Sequence, residues 1–402
     1  MTSDRHSLEQ NVPPSEDHTE DNGALHSLEP SPAIDILLPS KEQFGPANAG
    51  AVSTVVYDLI RASRTPDCFH VYGAPVGRPF EQVTFTGMAP RHAWLHGKNI
   101  GLANAYLHQL RGRPLPDLVE VHSRCHVASH IKAKRPELNV ALYLHNDPRD
   151  MKGSRTTAER KRLLHDMSAV ICVSDYIREC FLDGLDVPVS MTGKVQTARN
   201  GVDRWLAAPV TKTPMVLFVG RMVPEKGILE FSQALAKVLQ DHPEWSVVIV
   251  GARQFETSKP GSYEHRVTEA LAPLGARASL TGFLPLDKVK GLQQEAAIIG
   301  CPSIWQEPLG KTGLEALAAG SALLTTRRGG IPEVAEGRAH IVDEPSPEAF
   351  GDALKKLIGD DDYRTGLQQT AWDDFPFTAT AMANVADRIR SEAIKGTRSL
   401  GK

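Results

Sequence analysis

The stretch that decides the fold is Ala33-Ile-Asp-Ile-Leu-Leu38, followed by Phe44-Gly-Pro-Ala-Asn-Ala-Gly50 and then by the residues from Ala51 to Ala62. A short apolar run that ends at Pro39 predicts a buried strand, and the glycines and proline after it predict a loop. Val55, Val56, Leu59 and Ile60 then recur at helical spacing. Strand, glycine loop and helix is the opening unit of an α/β protein built on a parallel sheet. Moving outward, similar apolar runs lie at Cys68 to Tyr72, Leu118 to Val121, Val140 to Leu144 and Ala169 to Val173. After the turn Asn200-Gly201-Val202 and a loose segment ending at Pro214, a second series begins. It comprises Val216 to Val219, Val247 to Val250, Ala278 to Leu280, Ile298 to Gly300, Leu323 to Thr325 and His340 to Val342. Helical patterns intervene at about Glu225 to Leu239, His265 to Leu274, Lys311 to Ala319 and Pro347 to Ile358, and a last one runs from about Ala379 to Ala393.

A chain of 402 residues is long enough for two cores. The expectation is two doubly wound, Rossmann-like domains facing a cleft, over residues 33–208 and 209–372. A helix at 373–395 crosses back to the first, an acidic disordered tail covers 1–32, and a frayed tail covers 396–402. Lys and Arg number 45 against 48 Asp and Glu, a formal charge of -3, which argues against nucleic acid as a partner. The five cysteines show no zinc spacing and read as reduced thiols. No apolar run reaches the roughly 20 residues of a membrane span, and the first residues lack the pattern of a signal peptide. A cytoplasmic protein is expected.

Ligands of open parallel sheets bind beyond the carboxyl ends of the strands. Four segments there carry chemistry. In the first, Glu307 is followed by Pro308 and Gly310, and Glu315 lies eight residues on, in a helix beginning near Lys311. The free N–H groups of that helix start, with Lys311 and Thr312 at its first turn, suit a diphosphate, and the two carboxylates can accept hydrogen bonds from hydroxyls. In the second, Arg221 and Lys226 lie on one loop after a strand and can converge on an anion. The third is the loop ending in Gly50 and Ala51, and the fourth is His145-Asn146-Asp147 at a strand end. Each has a plain structural reading as well: a helix cap, a solvated charge pair, a turn, a core histidine.

The stretch from Glu307 to Glu315 resembles the signature of the retaining glycosyltransferases of family 4, in which two glutamates separated by seven residues mark the donor site. That resemblance implies the GT-B fold and assigns roles. Glu307 would contact hydroxyls of the donor sugar, Glu315 the ribose, and Arg221 and Lys226 the diphosphate. Gly310, Lys311 and Thr312 would border the sugar or phosphate. Gly50 and Ala51 stand where members often carry two glycines against the donor. His145 would position the reacting groups, with Asn146, Asp147 and Arg149 as acceptor contacts, and Gly329, Gly330, Pro332 and Glu333 would be architectural. His122 has no motif to fix its role.

The implied function is transfer of a hexose from a UDP- or GDP-linked sugar to a hydroxyl of a cell-envelope glycan or glycolipid, of the lipopolysaccharide or exopolysaccharide kind. No cofactor and no essential metal are implied. Synthesis of a soluble glycoside, or nucleotide-sugar binding without transfer, are the alternatives. The basic run Arg149, Lys152, Arg155, Arg160, Lys161 and Arg162 reads as a solvated helix face or as a peripheral contact with the inner membrane.

Overall fold

The computed structural model describes residues 32–47, 49–252 and 261–400. The expected acidic tail, Pro32 apart, lies outside the described residues, as do residues 401 and 402.

The apolar runs form two wholly parallel sheets. The first holds β1 Ile34–Leu37, β2 Phe69–Gly73, β3 Thr84–Gly87, β4 Leu118–His122, β5 Val140–Leu144, β6 Ala169–Cys172 and β7 Val195–Thr197, in the order β3-β2-β1-β4-β5-β6-β7. The second holds β8 Thr213–Val219, β9 Ser246–Val250, β10 Ala278–Gly282, β11 Ala296–Cys301, β12 Ala322–Thr326 and β13 Ala339–Val342, in the order β10-β9-β8-β11-β12-β13. β1, β4 and β5 are buried along their whole length. Strands covered on both faces read as continuous apolar runs, which is why the sequence shows them. β3 and β7 were not expected. Both are edge strands, short and half polar, and neither carries an apolar run.

In each sheet the strand order reverses at one place, between β1 and β4 and between β8 and β11. The crevice for a ligand opens there, because the loops on either side turn to opposite faces of the sheet.

Helices cover both sheets. Val55, Val56, Leu59 and Ile60 of the helix Ala51–Ala62 enter the first core, and Phe231 and Leu235 of the helix Ile228–Val238 enter the second beside Phe350 and Leu354. The last helix, Ala379–Leu400, continues past Ala393, so residues 396–400 of the expected frayed tail are helical. Its Met382, Ala383, Ala386 and Ile389 join the core of the first sheet.

Candidate functional site

The loop after β8 runs through Gly220 and Arg221 into the turn Pro224–Lys226. Gly227 follows in the left-handed region at φ 64°, where a Cβ would lie 2.0 Å from the Pro302 carbonyl oxygen. Only glycine lets this loop press against the one that follows β11. The two loops are laced together: the Glu225 carbonyl accepts from Ile304 N at 3.0 Å and from Ser303 Oγ at 3.1 Å.

This packing brings Lys226 Nζ onto Glu307 Oε1 as an ion pair, and Ser303 Oγ donates to the same carboxylate oxygen at 2.7 Å. Glu307 is 4% exposed. One member of the cationic pair and one of the acidic pair are thus in direct contact. Arg221 is exposed and has no ion pair among the described residues, which leaves its charge available to an anion. The helix Lys311–Ala318 starts from Gly310, with no side chain capping its N-terminus. Thr312 Oγ1 is already used by the Val219 carbonyl at 3.3 Å. Glu315, one turn into that helix, accepts from Gln293 Nε2 at 3.2 Å, so a buried amide from a neighbouring helix orients it.

The turn from Gly329 to Glu333 closes over this loop. Gly330 N donates to the Glu307 carbonyl at 2.8 Å. Gly329 has φ 57°, and a Cβ on it would lie 2.1 Å from that same carbonyl oxygen. Gly329→Ala is expected to displace the Glu307 backbone and lower the thermal unfolding midpoint, read by calorimetry, because the new methyl meets main chain and the left-handed conformation disfavours it. The Glu333 carboxylate accepts from Asp175 N at 2.9 Å, Tyr176 N at 2.8 Å and Arg199 Nε at 2.8 Å. It caps the helix Asp175–Leu182, which belongs to the first sheet's half.

On that half, Glu42 Oε2 accepts from Ser53 N and Ser53 Oγ, both at 3.2 Å. The start of the helix Ala51–Ala62 is thus held by a carboxylate, and a Cβ on Gly50 would lie 2.4 Å from it. Ala51 is exposed and Gly50 half-buried beside that carboxylate. Asp58, on the same helix, is 3.8 Å from Lys311 Nζ. Burial raises the Asp58 carboxyl, an effect the Lys311 charge opposes. Asn146 is exposed, whereas Asp147 and Arg149 pair with each other at 2.7 Å, and Arg149 reaches Asp183 at 3.0 Å.

His145 is buried, and its Nε2 lies 2.8 Å from His122 Nδ1. His122 Nε2 lies 2.8 Å from Glu120 Oε1, and Glu120 is clasped by Arg390 of the last helix through Nε and Nη2, both at 2.8 Å. Sequence reasoning missed Glu120, Arg390, Glu42, Gln293 and Ser303. A signal existed for one of them: Glu120 and His122 are two residues apart on a buried strand and therefore share a face.

The basic run requires a correction. Arg160 is 3% exposed and donates to the carbonyls of Phe181 at 2.9 Å, Ser154 at 3.2 Å and Arg155 at 3.1 Å, so it faces neither solvent nor lipid. It satisfies carbonyls that the surrounding turns leave unpaired. Lys152, Arg155, Lys161 and Arg162 are the exposed members. No helix among the described residues is long and apolar enough to cross a membrane, and no group of three or more potential metal ligands occurs among them.

Two doubly wound halves with loops converging at the switch points define a GT-B protein. Residues 203–373, which span the second sheet and its site loops, match the family model described as glycosyl transferases group 1. YtcC of Bacillus subtilis (strain 168) is 28% identical over 276 residues, 63% of this chain and 67% of its own length. The D-inositol 3-phosphate glycosyltransferase of Corynebacterium glutamicum (strain R) is 31% identical over 226 residues, and the alignment spans 53% of this chain and 52% of that enzyme. Among solved structures, HepE of Anabaena in complex with UDP and glucose superposes with a TM-score of 0.70 at 15% identity, covering 90% of this chain and 99% of that one.

Proposed function

We propose that this protein is a retaining glycosyltransferase that moves a hexose from a nucleotide diphosphate sugar to a hydroxyl of a cell-envelope glycan or glycolipid. The observation that carries the reading is the meeting of Lys226 and Glu307 at the β8/β11 switch point, beside an uncapped helix start that leads to Glu315. The names of the relatives support it: one is a glycosyltransferase, and the Anabaena structure holds UDP and glucose. The corynebacterial relative's name speaks for the alternative, a soluble acceptor.

Each group has a task that follows from its surroundings. Arg221 and the N–H groups of the helix start neutralise the diphosphate, and Lys226 adds charge where the leaving oxygen forms. Glu307, in contact with Lys226, accepts from sugar hydroxyls, and Glu315 accepts from the ribose. In the same-face course, the bond from anomeric carbon to phosphate oxygen breaks as the bond to the acceptor oxygen forms, and the acceptor proton passes to the departing phosphate. This reading assigns charge stabilisation to Arg221, Lys226 and the helix N-terminus and calls on no metal or other cofactor.

A screen of UDP and GDP sugars by thermal unfolding tests the reading. A donor at a hundred times its Kd stabilises the native state by about 2.7 kcal/mol. Glu315→Ala is expected to abolish that rise. NMR of the product is expected to show the donor's anomeric configuration retained, and the absence of both stabilisation and transfer across the panel refutes the assignment.

A further inference from the structure

The last helix contributes to the site from 270 residues away in sequence. Arg390, Glu120 and His122 are all at most 1% exposed, and His145 is 8% exposed. Burial by itself would raise the Glu120 carboxyl. The Arg390 charge and hydrogen bonds, joined by the His122 contact, overcome this and hold it well below the usual carboxylate range. Burial, and after it the neighbouring His122 ring, pushes His145 well below the usual imidazole range. Tyr143 stacks on both rings, with centroids 4.9 Å from each, and restricts their tilt.

The proton positions follow from donor and acceptor counting. An ionised Glu120 only accepts, so the hydrogen between it and His122 sits on His122 Nε2. A His122 ring that carries only that one hydrogen presents a lone pair at Nδ1, the atom 2.8 Å from His145 Nε2. The His145 nitrogen facing that lone pair must then donate. We propose that Arg390, Glu120 and His122 are positioning residues that fix His145 as the tautomer protonated at Nε2, so that its Nδ1 is the acceptor for a hydroxyl of the sugar or of the group it is transferred to. Among the described residues Nδ1 has no hydrogen-bond partner. The role of that nitrogen rests on the glycosyltransferase reading, whereas the tautomer does not.

Two-bond 1H–15N spectra of the full chain labelled in histidine, with His145 assigned by difference against His145→Gln, test the tautomer directly. The wild type is expected to show hydrogen on Nε2 and a lone pair on Nδ1. His122→Asn, whose Oδ1 can stand near the Nδ1 it replaces, is expected to keep that pattern. His122→Phe is expected to give a mixture of tautomers. In parallel, His122→Phe is expected to lower kcat/KM by roughly tenfold to a hundredfold, as loss of one directed hydrogen bond does, and His122→Asn to restore most of it. Hydrogen on Nδ1 in the wild type overturns the inference, with no variant needed. So does a folded His122→Phe with the wild-type spectrum. A protein that transfers no sugar yet shows the Nε2 tautomer would remove the functional reading and leave the positioning intact.

Discussion

Lys226→Ala is expected to lower sugar transfer by about a hundredfold to a thousandfold, the loss typical when a donor that stabilises developing charge is removed. The substitution also strips the buried Glu307 of its counter-ion, leaving Ser303 Oγ as its remaining side-chain partner. A stability loss of about 1 to 3 kcal/mol accompanies that change, because a carboxylate away from water is left undercompensated. A folding defect must therefore be separated from a chemical one. The pair Lys226→Met with Glu307→Gln removes both charges together and keeps an amide oxygen for Ser303. It is expected to recover most of the unfolding temperature while transfer remains lost. Recovery of activity along with stability in the double variant would show that Lys226 serves only the fold.

The largest effect on stability is expected from Arg390→Met. Arg390 and Glu120 are 1% and 0% exposed, and breaking a buried pair by removing one partner costs about 3 to 5 kcal/mol. Asp387, at 3.1 Å from Nη1, loses its contact as well. The loss is expected to depend on pH. Glu120 is held below its ordinary value of 4.5 in the native state, so the unfolded chain takes up a proton there at a higher pH than the native one. Its contribution is complete above the ordinary carboxylate range and falls as pH drops through that range toward the depressed value. Urea midpoints taken from pH 6 down to pH 3 should fall more steeply below about pH 4.5 in the wild type than in Arg390→Met. Parallel curves would mean that Glu120 is not held ionised by Arg390. Adding Glu120→Gln to Arg390→Met should return part of the lost stability, since an amide is neutral and its oxygen still accepts from His122 Nε2.

The uneven legibility of the site has a physical basis. Glu307, Glu315, Arg221 and Lys226 stand on two short loops and one helix start, each within fourteen residues of the end of β8 or β11, so local spacing placed each beyond the carboxyl ends of those strands and the resemblance assigned the roles. Glu120 was hidden because one carboxylate in an apolar run looks like an irregularity until its partner is known. That partner, Arg390, sits in an amphipathic stretch where an arginine looks like a solvated residue. Arg160 misled in the same manner, since a basic residue in a basic run carries no mark of burial; only the turns around it, with carbonyls needing donors, turn it inward. The edge strands β3 and β7 escaped because a strand paired on one side needs little apolar character.

By itself the sequence determined the alternation of strands and helices, the two parallel sheets, and the loops where chemistry gathers. Those features depend on burial of short apolar runs and on the backbone freedom of glycine and proline, which are properties of neighbouring residues. Tertiary structure alone decided that Lys226 touches Glu307, that Glu42 holds the first helix start, and that Arg390 stands behind His122 and His145. These pairings join residues from 11 to 270 positions apart. A charge acquires a partner and a histidine a tautomer only through what packing brings within hydrogen-bond reach, and no local pattern encodes that distance.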